Sequence, residues 1–308
     1  ILRKQGKTRE AVELSRRAFE IHRAQLGEDH PRSAYQRINL GVALIDLGEL
    51  EEGQRHGERA LEILQAVASV DRRSIAHAWA TLAIALYSQG EHAQAEQQLR
   101  QALALDQLPA ATLQINLAMI LKAQGRLDEA IEVYRDALES LEHDESTPER
   151  ELMTARALGE LGTLLNKPAK DEPAKDEAAK DEAAEYFERA IAILERTERV
   201  QDPMVISVFN RYGDLLRERG DDTGAERSYR RALAAYQSFD GATYGVKIAI
   251  TLERLADLER GRGRWSSALE LLERAQTTLL AAGTESKPER LENLEQRLAE
   301  VRAKLDAP

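Results

Sequence analysis

A glycine followed five residues later by one alanine, and seven residues after that by another, recurs along this chain at intervals of about 42 residues. A repeat of this length is typical of solenoids, in which one unit cannot bury its apolar face alone and must stack on its neighbours. The glycine ends one helix, and the alanines lie where the next helix crosses it closely. The sequence therefore predicts stacked helix pairs, with function on a surface rather than in a pocket. The pattern occurs at Gly6, Ala11 and Ala18; Gly90, Ala95 and Ala102; Gly125, Ala130 and Ala137; Gly220, Ala225 and Ala232; and Gly263, Ala268 and Ala275.

The composition favours an all-α protein and disfavours several functions. Charged residues make up 31% of the 308 residues and aromatic residues only 5%, a balance typical of helical chains. No segment has the roughly 20 consecutive apolar residues that cross a bilayer, so we expect no membrane partner. The absence of cysteine fits a reducing compartment and predicts a cytoplasmic protein. A net charge of -11 opposes binding to the phosphates of nucleic acids.

Hydrophobic periodicity predicts helices joined by short links, and the turn glycines Gly48, Gly90, Gly125 and Gly220 are expected at positive φ. The expected fold is an α-α solenoid of about seven pairs over residues 1–285. The first pair contains only its second helix, which predicts a piece of a longer protein. The expected helices span 8–26, 31–47, 49–69, 72–89, 91–106, 108–124, 126–143, 147–167, 174–199, 202–219, 221–238, 242–262, 264–282 and 287–305.

Two segments in the second half of the sequence, residues 168–182 and 286–308, carry additional predictions. Residues 168–182 form three Pro/Ala-Ala-Lys-Asp-Glu pentads, and a five-residue period cannot keep one helix face against a neighbour. We expect a solvated insertion, a loop through Pro173 and then a helix that joins the stack at Ala183. Residues 286–308 are predicted to form a C-terminal capping helix with a polar outer face. A short dimerisation helix is the alternative, and a monomer is favoured.

The third predicted pair carries a family resemblance. Trp79, Leu82, Ala83 and Leu86 on the first helix, followed by Gly90, Ala95, Leu99 and Ala102, match the spacing of large and small residues in tetratricopeptide repeats (TPR). The link from Leu26 to Pro31, followed by Ala34, resembles the kinesin-light-chain-like subtype, whose repeats are about 42 residues long. The resemblance implies a right-handed superhelix that binds proteins or peptides in its concave groove.

No catalytic, cofactor or metal site is predicted. The six histidines do not pair four residues apart, and none stands with carboxylates in a metal-binding motif. Gly261 and Gly263 lie at a helix turn and lack the Lys-Ser/Thr of a phosphate-binding loop. The sequence therefore predicts a protein that is not an enzyme.

The resemblance implies that the first helix of each pair lines the groove. In the second to fourth pairs this wall is mainly apolar, and two asparagines occupy equivalent places in it. An asparagine amide pairs with both an N–H and a carbonyl of a peptide backbone. We therefore expect an extended peptide or an amphipathic helix to bind here, the alternative being that the Ile and Val side chains fill contacts between repeats. The predicted wall comprises Tyr35, Ile38, Asn39, Val42 and Ile45; His77, Thr81, Ile84 and Tyr87; and Thr112, Ile115, Asn116, Met119 and Lys122.

In the later pairs the same wall is charged with both signs. Asn210, Arg211, Arg217 and Arg254 belong to the predicted peptide-binding wall, and the three arginines have the chemistry to bind a ligand carboxylate or phosphate bidentately. Asp214 and other acidic residues stand beside these arginines, and mutual salt bridges are the simpler interpretation.

Two functional hypotheses follow. The first is an interaction scaffold that holds a peptide or helix of a partner protein in the groove. The second is a regulatory or sensor module of a signalling protein, because kinesin-light-chain-like repeats resemble those attached to bacterial serine/threonine kinases and nucleotide-driven transcription regulators.

Overall fold

A computed structural model describes residues 8–67, 72–142, 147–166, 173–197, 206–238, 241–282 and 288–306. Within these ranges the chain forms fourteen α-helices and no β-strand, which confirms the predicted all-α class. The helices belong to two compact units, Ile1–Glu145 and Ser146–Pro308.

Each unit contains seven of these helices. The first unit consists of α1 (Thr8–Leu26), α2 (Pro31–Leu47), α3 (Leu50–Gln65), α4 (Arg72–Ser88), α5 (His92–Ala104), α6 (Ala110–Ala123) and α7 (Leu127–Glu142). The second unit consists of α8 (Pro148–Leu165), α9 (Pro173–Arg196), α10 (Ser207–Glu218), α11 (Asp222–Gln237), α12 (Gly241–Gly261), α13 (Trp265–Ala281) and α14 (Pro288–Leu305).

Within each unit, every helix packs against the next one in the chain, as expected of a solenoid. The pairs are α2 with α3, α4 with α5 and α6 with α7 in the first unit, and α8 with α9, α10 with α11 and α12 with α13 in the second. The first helices α2 and α4, which belong to neighbouring pairs, also contact each other.

The turn glycines adopt the predicted conformation. Gly48, Gly90, Gly125 and Gly220 have φ values of 92°, 86°, 80° and 80°, a region that costs glycine nothing because it has no Cβ. At Gly48 the backbone N–H bonds to the Ile45 carbonyl and closes the last turn of α2. Each such turn reverses the chain within a few residues, so the two helices of a pair run antiparallel.

Small residues let the two helices of a pair approach closely. A Cβ added to Gly53 on α3 would lie 2.7 Å from Ile45 Cγ1 and 3.0 Å from the Gly41 carbonyl oxygen on α2. At the equivalent place on α5 and α7, Ala95 and Ala130 are fully buried. The close crossing fixes the rotation of each helix about its axis, and with it the side chains that remain on the surface.

The same crossing in the second unit is built from a glycine and a tyrosine. A Cβ added to Gly213 on α10 would lie 2.4 Å from Tyr229 Cε1 on α11, and the Tyr229 ring is completely buried. The glycine therefore provides the space that the ring occupies.

The insertion and the final helix continue this packing. Helix α9 begins at Pro173, earlier than the predicted loop allows, and Ala183 is fully buried, as predicted. Residues 167–172 lie outside the described part of the chain. Helix α14 packs on α13 with Leu294, Leu298 and Val301 buried. Its role as a separate cap over 286–308 stays a prediction.

Replacing Gly213 with alanine should destabilise the protein by about 1–3 kcal/mol, because the new methyl group overlaps the Tyr229 ring. This loss exceeds the gain of about 1 kcal/mol that alanine brings to a helix. The measurement is urea-induced unfolding, with circular dichroism as the signal. Gly261→Ala is the control, since no atom lies within 4 Å of its added Cβ. Equal stabilities of the two variants would contradict the crossing described for α10 and α11.

An ion pair between successive pairs predicts a pH dependence. Glu226 Oε2 on α11 lies 2.5 Å from Nη1 of Arg262, in the turn that follows α12, and this hydrogen bond holds the pKa of Glu226 below its usual value. The stabilisation is complete above the unfolded-state pKa and is lost as the pH falls through the folded-state pKa. Glu226→Gln should therefore lower the free energy of unfolding by up to about 1 kcal/mol at pH 7.

The difference in the free energy of unfolding between the wild type and Glu226→Gln should shrink as the pH falls below about 4. Urea unfolding across that pH range checks it, with the exposed Glu185→Gln on α9 as control. A difference that is independent of pH would contradict the ion pair.

Candidate functional site

The first helices of the pairs expose one stripe of side chains, defined by distance from the turn glycine. Residues 13, 9 and 6 positions before that glycine are four and three apart, so they share one helix face. We call this set the outer stripe. In the first unit it comprises Tyr35, Asn39 and Val42 on α2, His77, Thr81 and Ile84 on α4, and Thr112, Asn116 and Met119 on α6. In the second unit it comprises Ser207, Arg211 and Asp214 on α10, and Ile250, Arg254 and Asp257 on α12.

In the first unit the outer stripe is uncharged, apart from His77, and largely at the surface. Tyr35 is 44% exposed and Ile84 is 39% exposed. Asn39 and Thr112 are also exposed, and Val42, His77, Asn116 and Met119 are half-buried. Among the described residues, neither Asn39 nor Asn116 has a hydrogen-bond partner for its amide.

Four residues predicted to face a ligand lie instead in the interior. Ile38 and Ile115 are only 3% and 2% exposed, and Ile38 packs in a cluster with Ala60 on α3 and Ala78 on α4. Ile45 is buried beside Gly53, and Thr81 is buried over Gly41 with its hydroxyl bonded to the His77 carbonyl. The predicted groove position is therefore wrong for these four residues. Ile38 and Ile115 each precede a stripe position by one residue, which turns the side chain by about 100°, whereas Thr81 lies at a stripe position and is covered where α4 meets α2. Ile38 therefore points into the core while Asn39 does not.

The last two predicted wall residues lie at the edge of the stripe. Tyr87 and Lys122 are each three positions before a turn glycine and are half-buried. The Tyr87 ring packs against the His92 ring on α5, with centroids 5.4 Å apart.

In the second unit, ion pairs link the charged side chains of the outer stripe. Arg254 on α12 donates from Nε and Nη2 to the two carboxylate oxygens of Asp214 on α10, at 2.7 and 2.8 Å. Arg211 Nη1 on α10 donates to Glu160 Oε1 on α8 at 2.8 Å. Arg217 is exposed, and its Nη1 lies 3.8 Å from Asp257 Oδ2. The salt-bridged interpretation of these arginines is therefore confirmed.

Asp214 has a second partner that holds it in place. The Tyr229 hydroxyl on α11 donates to Asp214 Oδ1 at 2.8 Å. Burial, together with the Asp214 carboxylate, raises the pKa of Tyr229 above its usual range, so the phenol remains protonated and donates. Asp214 therefore joins α10 to both α11 and α12.

Asn210 does not face a ligand as predicted. Its side chain is buried, and Nδ2 donates to Thr251 Oγ1 on α12 at 2.8 Å. The amide therefore joins two first helices in the interior of the second unit. The expected peptide contact is wrong for this residue, because the position ten before a turn glycine points inward here, as it does at Ile38.

A repeated motif that the sequence analysis missed accounts for the ion pairs. Arginine precedes an acidic residue by three positions at Arg211 and Asp214, at Arg254 and Asp257, and at Arg297 and Glu300, at intervals of 43 residues. Arg297 on α14 bonds to Asp257 on α12, as Arg254 bonds to Asp214. The 43-residue interval is the sequence signal that would have revealed this series.

Neither a metal-binding group nor a membrane-spanning helix occurs among the described residues. They include no group of three or more His, Cys, Asp or Glu side chains placed to hold a metal ion. None of the helices described here combines the length and apolar character that a membrane-spanning segment requires.

Several solved structures are similar to this chain in fold. A chain of the Cut9–Hcn1 hetero-tetramer of the APC/C matches with a TM-score of 0.67 and 16% identity, over 96% of this chain and 47% of that one. PilF of Pseudomonas aeruginosa matches with a TM-score of 0.56 and 24% identity, over 87% and 99%. A kinesin-light-chain-type protein of Podosopora anserina matches with a TM-score of 0.51 and 19% identity, over 67% and 96%. This chain thus spans about half the length of the first of these relatives.

At these identities the similarities establish the fold alone, and the kinesin-light-chain-like subtype stays a prediction.

A comparison with curated protein sequences gives no match. Sequence models described as tetratricopeptide repeat match residues 35–107 and 205–281, residues 80–145 and residues 1–32. Together these matches cover more than two thirds of the chain. The chain therefore belongs to the tetratricopeptide repeat family.

Proposed function

We propose that this protein is an interaction scaffold that binds a segment of a partner protein along the outer stripe of its first unit. The TPR fold generally mediates contacts between proteins, which supports the class of function. The choice of surface rests on the exposure of Tyr35 and Ile84, two large side chains on the first helices of adjacent pairs. Large apolar side chains that share one exposed surface typically mark binding sites.

The contrast between the two units supports this choice. At the same stripe positions, the second unit carries Arg254 and Asp214, which satisfy each other. A ligand that binds there must first break these pairs and leave a partly buried charge without its partner. The first unit imposes no such cost, because its stripe contains no Asp, Glu, Lys or Arg.

Other large apolar side chains are exposed outside the outer stripe. Leu280 on α13 is 60% exposed, but it lies on a second helix and outside the stripe. Leu14 and Ile21 on α1 are also exposed, on a second helix as well. In the outer stripe of the first unit, exposed apolar side chains are accompanied by the amides of Asn39 and Asn116, which belong to the first helices of their pairs.

No feature of the described residues favours the alternative of a sensor module attached to a signalling enzyme. The partner class proposed here is protein, in keeping with the predicted lack of nucleic-acid and membrane partners. No cofactor or metal is part of the proposal, and binding does not require an enzymatic activity.

Substitution of Ile84 by glutamate should weaken binding of the partner by about tenfold or more, equivalent to ~1.4 kcal/mol, because the charge must be desolvated in the interface. The partner is first identified by a photo-crosslinking residue at position 35 of the full chain. The dissociation constant is then measured by calorimetry with the purified partner.

Leu280→Glu is the matched control, since it places the same charge on a side chain that is more exposed and outside the stripe. Its affinity should stay within about twofold of the wild type. Unchanged binding by Ile84→Glu, or an equal loss in the control, would rule out the proposed surface.

A further inference from the structure

We infer that the segment bound by the first unit is an extended, polyproline-II-like stretch with an uncharged, apolar side chain at every third position. This inference rests on the proposed function and names its class of ligand. It decides between the extended peptide and the amphipathic helix that the sequence left open.

The spacing of the helices gives the first argument. The methyl group of Thr81 on α4 lies 3.7 Å from the position that a Cβ on Gly41 of α2 would take, so these two helices are in direct contact. Helices packed in this way lie about 8–10 Å apart. Val42 and Ile84 occupy the same register on them, each six residues before its turn glycine. A ligand must therefore present apolar side chains on one face at about this spacing.

The possible backbone conformations of the ligand differ in how closely they match this spacing between α2 and α4. A polyproline-II segment has three residues per turn and rises ~3.1 Å per residue, so every third side chain returns to one face after about 9 Å. A β-strand returns a side chain to one face after about 6.6 Å and fits poorly. An α-helix fits through side chains seven residues, or about 10.5 Å, apart. The spacing therefore leaves the polyproline-II and helical ligands.

The free amides distinguish these two ligands. Asn39 on α2 and Asn116 on α6 have no hydrogen-bond partner among the described residues. A helical ligand bonds its own N–H and C=O groups internally, so it would cover these amides without satisfying them through its backbone. A polyproline-II segment has no internal hydrogen bonds, and one asparagine amide can both donate to its carbonyl and accept from its N–H. The amides therefore favour the extended ligand.

The charge of the stripe defines the ligand side chains. The nine stripe residues of the first unit include no Asp, Glu, Lys or Arg. A charged ligand side chain over these nine residues would lose its hydration without gaining an opposite charge from them. Tyr35 adds an exposed aromatic ring, the type of side chain on which proline-rich segments dock. The ligand core is therefore apolar, with proline favoured between the contacting side chains.

Three fluorescent synthetic peptides test the inference on the full chain by fluorescence anisotropy. The first repeats Leu-Pro-Pro, so leucine recurs at every third residue. The second has the same composition with the leucines grouped together. The third is an amphipathic helix with leucines that recur at every seventh residue on one face. The first peptide should bind at least about fivefold more tightly than either of the others, because only it matches both the spacing and the free amides.

Variants of the chain add a second readout. Asn39→Ala combined with Asn116→Ala should weaken binding of the first peptide by about tenfold, with an unchanged circular dichroism spectrum. Asn293→Ala, on the exposed face of α14, is the matched control and should bind as the wild type does. Tighter binding of the helical peptide, unchanged binding in the double variant, or no binding of the first peptide at about 1 mM would each overturn the inference.

The outcomes separate this inference from the proposed function. If the helical peptide binds best and Ile84→Glu abolishes that binding, the stripe is the site and only the extended conformation is wrong. If Ile84→Glu leaves the binding of the crosslinked partner unchanged, the stripe is not the site, and both proposals fail.

Discussion

The structure depends on the close crossing of the two helices in each pair. Gly53 against Ile45 in the first unit, and Gly213 against Tyr229 in the second, leave no room for a β-carbon. Such contacts fix the rotation of each helix, because any other orientation would place a larger residue at the crossing. Once the rotation is fixed, the residues 13, 9 and 6 positions before the turn glycine define one face. The outer stripe is thus a geometric consequence of small residues that lie elsewhere on the helix pair.

The two units use the same stripe positions for different chemistry. In the second unit, Arg254 and Asp214 form a bidentate pair between first helices, and Tyr229 completes the contacts of the carboxylate. In the first unit, the equivalent positions on α2 are Asn39 and Val42, which join no ion pair. A repeated scaffold therefore supports internal cohesion in one unit and leaves a surface for recognition in the other. We propose that this division determines where a partner binds.

The sequence predicted the fold well because its strongest signals are local. The turn glycines and the helical periodicity act within a few residues, and α1 and α2 begin and end where they were predicted. The site was predicted less well, because the exposure of a side chain depends on the rotation of its helix against two neighbours. Ile38 and Asn39 are adjacent in sequence, yet only Asn39 reaches solvent. The bond from Asn210 to Thr251 joins residues 41 positions apart, and no local pattern predicts such a pairing.

The orientation of the stripe is the central claim, and the absence of cysteine from the sequence allows it to be tested directly. Single cysteines placed at positions 39 and 84 report on the stripe, and single cysteines at positions 38 and 115 report on the core. The measurement is the rate at which each native variant reacts with a thiol reagent, relative to the same variant when unfolded. The account predicts near-unfolded rates at positions 39 and 84 and rates about a hundredfold lower at positions 38 and 115, because a buried thiol reacts only after local opening. Similar rates at all four positions would contradict it.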